Sequence, residues 1–189
     1  MKVIGIVGSP RANGNTEILT AHTLTAISEE GINTELITLA NLDIRPCTAC
    51  MVCKETGLCS INDDLFPIYE NVKVADGIII SSPVYFGSAT ALIKAFIERV
   101  GYLSRHRKEP FTGKVGGPLV VARRAGHNFT IAQLTLWYQI LGMVVCGSTY
   151  WNVAFGRDRG DVANDIEGMK TVWNFGKNVA SVLKKLQQG

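Results

Sequence analysis

The sequence predicts an α/β domain, a parallel sheet covered on both faces by helices. Three observations predict it. Short β-branched apolar runs alternate with stretches of helical periodicity along the 189 residues. The two clearest runs each end in a turn rich in Gly, Ser and Pro. The composition is that of a globular chain, 47% apolar and 19% charged. Alternation of this kind implies right-handed crossovers and a buried parallel sheet. A chain of this length buries about two-thirds of its unfolded surface, so it needs neither a disulfide nor a metal to fold.

The elements follow in order. Residues 2–7 are β-branched and apolar and end in Gly-Ser-Pro, the pattern of a buried strand. Residues 15–30 place Ile18, Leu19, Leu24 and Ile27 at helical spacing, and Gly31 closes the helix. Residues 34–39 form a second strand. Residues 41–60 are irregular and hold four cysteines. Residues 63–74 read as a helix with Pro67 in its first turn. Residues 77–82, Gly-Ile-Ile-Ile-Ser-Ser, are the clearest central strand, stopped by Pro83. A helix over 88–100, a strand over 114–122 and a helix over 130–141 follow. Residues 143–146 suggest a fifth strand and 161–187 a terminal helix. The whole of 1–189 is one domain, with a long loop at 41–63 after the second strand. Loops of that length in compact domains are usually functional.

Charge narrows the partners. Lys plus Arg is 19 and Asp plus Glu is 16, a net charge of +3, and no basic run exceeds Arg105-His106-Arg107-Lys108. Nucleic acid is not the expected partner. No apolar stretch approaches the ~18 residues of a membrane span, and the first residues lack a signal peptide's apolar core. The expectation is a soluble, cytoplasmic chain. In a reducing compartment its five cysteines are thiols with a ligand or redox task rather than a disulfide framework.

Three loops carry the chemistry. The first strand runs into Gly8-Ser9-Pro10-Arg11-Ala12-Asn13-Gly14-Asn15-Thr16 and then a helix. A helix N-terminus at the carboxyl edge of a parallel sheet offers open N–H groups to an anion. Gly-x-Gly-x-x-Gly is absent, and five residues rather than four separate the glycines, with Asn15 where a nucleotide-triphosphate loop places Lys. A small phosphate monoester remains, against an ordinary polar helix start. The second loop, Ser81-Ser82-Pro83-Val84-Tyr85-Phe86-Gly87-Ser88, emerges at the same edge and adds two aromatics, suited to a planar heterocycle or to the core. The third, Arg123-Arg124-Ala125-Gly126-His127, is either an anion contact or a solvated turn.

The stretch Cys47-Thr-Ala-Cys50-Met-Val-Cys53-Lys-Glu-Thr-Gly-Leu-Cys59 places four cysteines in thirteen residues, spaced C-x2-C-x2-C-x5-C. Four thiolates can hold a [4Fe–4S] cluster, and the first three follow the spacing of a ferredoxin run. Structural zinc, which usually uses two separated knuckles, and a dithiol pair are the alternatives. Cys146, in an apolar strand, reads as a buried, inert thiol.

Gly-Ser-Pro-Arg-x-x-Gly-Asn-Thr after the first strand, Ser-Pro-Val-Tyr-Phe-Gly after the third, and the cysteine run between them resemble the iron–sulfur flavoprotein family, within the NAD(P)H-dependent FMN reductase group. The resemblance covers nearly the whole chain. It implies a flavodoxin-like, doubly wound five-stranded parallel sheet of order 2-1-3-4-5. It implies FMN at the switch between strands one and three, its phosphate on Ser9, Arg11, Asn13, Gly14, Asn15 and Thr16. Its ring would lie on Pro83, Val84, Tyr85, Phe86 and Gly87, with Arg124 and Gly126. A [4Fe–4S] cluster, which air can strip, would sit on Cys47, Cys50, Cys53 and Cys59. Family members form homodimers or homotetramers that bring cluster and flavin of different subunits within electron-transfer range. They pass electrons from a ferredoxin-like donor to small-molecule acceptors.

The implied mechanism needs no catalytic general base, because the chemistry belongs to the cofactors. Backbone N–H groups of the 86–88 turn would tune the flavin, and none of His22, His106 and His127 is expected to act as a base. The first alternative is a cluster-free NAD(P)H-dependent FMN or quinone reductase. The second, from another class, is a zinc-loop binding module without flavin.

Overall fold

The structure, a computed structural model, describes residues 1–106 and 110–188; Arg107 and Lys108 of the basic run lie outside them. The elements are β1 (Lys2–Val7), α1 (Asn15–Ser28), β2 (Asn33–Thr38), α2 (Val52–Thr56), α3 (Leu65–Val74), β3 (Gly77–Pro83), α4 (Ala91–His106), β4 (Val115–Ala122), α5 (His127–Ile140), β5 (Val144–Val145), β6 (Val153–Phe155) and α6 (Ile166–Gln187). All pairings are parallel, in the expected order β2-β1-β3-β4-β5, with β6 also on β4. No helix among the described residues is long and apolar enough to cross a membrane.

The alternation along each strand explains the layers. Ile78 and Ile80 of β3, with Ile4 and Ile6 of β1, face α3, α4 and α5 and meet Tyr69, Phe96, Val100 and Trp137. Val3 and Ile79 point the other way, with Leu119 of β4, onto Leu24, Ile27, Phe175 and Val179 of α1 and α6. Each such side chain contributes about 1.5–3 kcal/mol on burial. Pro118 lies opposite Ile80 in the β3–β4 register and has no N–H to give. There the Tyr138 hydroxyl enters the ladder, accepting from Ile80 N at 2.8 Å and donating to Gly117 O at 2.8 Å. Its burial pushes that hydroxyl's pKa above the ordinary phenol range.

The fifth sheet position is split. β5 pairs with Val115 and Gly116 at the start of β4, and β6 pairs with Val120–Ala122 at its end. Between them the chain leaves the sheet because α6 takes its polar groups: Ser148 Oγ donates to Thr171 O at 2.6 Å, and Asn178 Nδ2 to Gly147 O at 3.0 Å. The return through β6 brings residues 156–158 to the carboxyl edge of the sheet. Several helix starts also differ from the sequence expectation: α3 begins at Leu65 and α5 at His127, and two more differ for a visible reason. The helix expected from residue 88 begins at Ala91, because Ser88 closes a turn with Tyr85, and it runs on to His106. The terminal helix begins at Ile166, where the Asp165 carboxylate caps it by accepting from Gly168 N at 3.0 Å. A 3-10 turn, Asp161–Asn164, precedes it.

Candidate functional site

Loops after β1, β3, β4 and β6 enclose one open cleft of about 400 Å³ at the carboxyl edge of the sheet. Its walls include Ser9, Arg11, Gly14, Asn15, Thr16, Pro83, Val84 and Tyr85, so the structure brings eight of the thirteen sequence-predicted cofactor residues together. Regular backbone sets the first wall. Gly8 N donates to Ser81 O at 2.8 Å, and Gly8 O accepts from Thr90 Oγ1 at 2.6 Å. A Cβ on Gly8 would stand 2.4 Å from Ile93 Cβ, so only glycine lets β1 end against α4 here. Gly14 at the N-cap of α1 brings no side chain to cap it, which leaves the first-turn N–H groups open to an anion.

Asn13 stands apart. It is exposed with φ +53°, and its N–H donates to Glu17 Oε2 at 2.7 Å instead of facing the cleft. Asn15 lines the cleft, but its side chain is committed to the loop after β6. Its Nδ2 donates to Asp158 O at 2.8 Å, and its Oδ1 accepts from Gly160 N at 2.8 Å and Val162 N at 3.3 Å. It therefore acts as the latch that holds the fourth wall in place.

The loop after β3 is a two-residue hairpin turn. Tyr85 N bonds Ser88 O at 2.9 Å, and Ser88 N returns the bond to Tyr85 O at 3.1 Å. Phe86 and Gly87 have φ of +51° and +80°, the sign that a type I′ turn requires at both positions. Phe86 pays for that turn in backbone strain and holds its ring fully exposed beyond the cleft. Tyr85 alone of the two aromatics lines the cleft. Gly126, with φ +88°, closes the base of this turn; a Cβ there would lie 2.8 Å from Val84 Cγ1. Arg124 is exposed and outside the cleft wall, where Arg123 stands instead. Sequence reasoning also missed Val121, Gly156, Arg157 and Asp158. The cluster of Gly and alternating charge at 156–161 was the available signal.

The cysteine run forms a separate small cavity lined by Cys47, Cys50, Cys53 and Cys59, with Ser60, Arg99 and Tyr102. All four are free thiols. Ala49 and Met51, at φ +53° and +63°, turn the chain between them, and Ala49 N points at Cys47 Sγ at 3.4 Å. Met51 starts α2, and Gly57 at φ +70° ends it. Four of the five non-glycine residues with positive φ among those described lie in the cleft loops and the cysteine run, where strain collects at functional sites. The thiols act on one another: burial, then the neighbouring Cys59, Cys47 and Cys50, push the Cys53 thiol up. The Ser60 hydroxyl, 3.0 Å from Cys50 Sγ, pulls Cys50 down. Among the described residues no three His, Cys, Asp or Glu side chains are set around a single metal ion. Cys146 is buried apart from them, its thiol pushed up to about 11 by desolvation.

Beneath the cavity lies a buried ion pair. Arg99 of α4 and Asp63 are both inaccessible to solvent, joined through both carboxylate oxygens. Burial works to raise the Asp63 carboxyl, but hydrogen bonds from Arg99, Arg45 N and Leu65 N outweigh it and hold the group below the usual carboxylate range.

Comparison with known proteins places the chain. The family described as NADPH-dependent FMN reductase matches residues 1–158. An iron–sulfur flavoprotein of Methanocaldococcus jannaschii is 42% identical over the full length of both chains. One of Methanosarcina thermophila is 37% identical over 100% of this chain and 98% of its own. A WrbA-like flavodoxin of Agrobacterium tumefaciens shares the fold with a TM-score of 0.70 at 16% identity, over 97% of this chain and 98% of its own. The chain belongs to the NADPH-dependent FMN reductase family, as a flavin-dependent oxidoreductase on a flavodoxin-like fold akin to the iron–sulfur flavoproteins.

Proposed function

We propose that the chain is an electron-transfer flavoprotein that holds FMN in the cleft and a [4Fe–4S] cluster on Cys47, Cys50, Cys53 and Cys59. It passes electrons between a ferredoxin-like donor and a small-molecule acceptor. The observation that carries the reading is the cavity ringed by all four thiols, in a chain whose other loops build a flavin-sized cleft.

The residues fit both groups. For FMN, the uncapped start of α1 offers N–H donors to the phosphate, and Ser9, Thr16 and Arg11 stand on the same wall. Pro83, Val84 and Tyr85 supply a flat apolar wall for the ring, with Arg123 and Arg157 across it. The loop latched by Asn15 supplies the fourth wall of the cleft, with Gly156, Arg157 and Asp158. For the cluster, the thiol donor set is complete, and Ala49 N already points at a ligand sulfur. When bound, FMN supplies the exchange between two-electron and one-electron chemistry, and a cluster supplies a one-electron port.

The relatives named iron–sulfur flavoproteins support this reading. Phe129, Leu136 and Ile140 on the outer face of α5, all strongly exposed, support a homodimer or homotetramer, and we place it in the cytoplasm. A second reading, direct oxidation of NAD(P)H without a cluster, rests on the matched family's description. Cys53→Ala separates the two. It retains FMN and loses reduction by ferredoxin under the first reading; unchanged ferredoxin-linked transfer, or undiminished NADPH oxidation as the only electron entry, contradicts it.

A further inference from the structure

Arg99 is the largest fully buried side chain in the described structure, and it lies outside the cleft. Its contacts are unusual in their placement. Nη1 donates to Arg45 O at 3.1 Å, and Nη2 to Ile61 O at 3.3 Å and to Cys59 Sγ at 3.3 Å, while both nitrogens meet Asp63. Arg45 lies two residues before Cys47, and Ile61 two residues after Cys59. One guanidinium thus holds both ends of the cysteine run and touches one of its sulfurs. A lysine has a single nitrogen and cannot reach all of these acceptors with a fixed fork. For stability alone, an apolar residue would serve as well as a buried charge pair, and Arg99 Nε lacks a partner besides. The site therefore points to a task beyond folding.

We propose that Arg99 is a positioning residue for the cysteine centre: it clips both limbs of the run to α4 and, through its hydrogen bond to Cys59 Sγ, sets the reduction potential of the group the thiolates hold. The proposal rests on the reading that these four cysteines carry a [4Fe–4S] cluster. Hydrogen bonds to ligand sulfurs withdraw electron density and stabilise the reduced, more negative state, which raises the potential. Asp63 fixes the orientation of the fork and offsets part of its charge.

The test uses the full chain, reconstituted anaerobically with ferrous iron and sulfide, as wild type, Arg99→Lys and Asp63→Asn. Iron, sulfide and FMN are counted, and the cluster is titrated spectroelectrochemically. Arg99→Lys is expected to keep its FMN, because Arg99 lies outside the cleft. Its cluster should be about tenfold harder to reduce, about 59 mV more negative for a one-electron couple. Asp63→Asn should shift the potential the opposite way, because Arg99 keeps its bond to Cys59 and loses its counter-charge. A wild-type potential in either variant overturns the proposal, as does a shift of the same sign in both, which general damage to the loop would give. If Arg99→Lys does not fold, the sign for Asp63→Asn decides alone: positive supports the proposal, zero or negative overturns it. A wild-type protein that takes up no iron or sulfide removes the cluster reading itself, an outcome distinct from any result on the variants.

Discussion

The cleft and the cysteine cavity both lie in loops that leave the carboxyl edge of the sheet, yet they are held in different ways. The cleft is built by backbone. Gly8 and Val84 are fixed by main-chain bonds that extend the strands, Ser88 by the main-chain bonds of its turn with Tyr85, and the Asn15 side chain latches the outer wall. The cysteine run has few main-chain bonds of its own, chiefly Lys54 N to Met51 O at 3.0 Å and Gly57 N to Cys53 O at 2.9 Å. Its attachment to the body of the protein combines the Arg99–Asp63 pair with Cys53 and Cys59, which pack on the core. Changes in the cleft should therefore act on one wall at a time, whereas loss of the buried pair should loosen both ends of the cysteine run together.

Substitutions test that contrast. The largest effect is expected at Asp63. Asp63→Ala leaves the Arg99 charge buried without its partner, which costs about 3–5 kcal/mol. Chemical denaturation should show the loss, and limited proteolysis should cut within residues 41–63 while FMN stays bound. If the variant keeps wild-type stability, the loop does not depend on the pair.

Next is the latch. Asn15→Ala removes three hydrogen bonds to residues 158–162 and should cost about 1–3 kcal/mol. FMN affinity by fluorescence titration should fall about tenfold, with the cysteine centre untouched. Gly126→Ala puts a Cβ on a backbone at φ +88° and against Val84 Cγ1 at 2.8 Å. We expect about 1–2 kcal/mol of strain and a changed flavin spectrum with phosphate binding retained. An unchanged spectrum would detach the 83–87 turn from the ring.

The smallest effect belongs to a surface far from both sites. Glu30 is held below the ordinary carboxylate range by hydrogen bonds from Lys184 and then Lys177. A lowered carboxyl contributes stability above its unfolded value of about 4.3 and loses it as the pH falls through the folded value. Glu30→Gln should therefore lower Tm slightly at pH 7, with the difference closing as the pH falls below about 4. A gap that persists in acid would mean the charge is not the cause.

These contrasts also explain what the sequence could show. The loops after β1 and β3 were legible because Gly, Ser and Pro at a strand end mark a turn at a known edge. The split of the fifth position was not, because β6 has three residues, too few for a period to register. With β6 unseen, the Gly156–Asp158 wall and the true partners of Asn15 were unseen too, since those contacts join residues more than 140 apart. Phe86 reads as a ring-stacking aromatic in sequence; that it also occupies a turn position at positive φ, with its side chain exposed, is visible only in the structure. Arg99 is legible too: with Phe96 and Leu103 it lies on the inward stripe of α4, where a charge must have a buried partner.

One chain is proposed to hold both a flavin and a four-thiolate cluster. The most direct test counts FMN, iron and acid-labile sulfide on one anaerobically purified sample, alongside its visible spectrum. Roughly four irons and four sulfides per FMN are expected. Stoichiometric flavin with no iron would contradict the proposal and make the NAD(P)H-dependent reductase the working description.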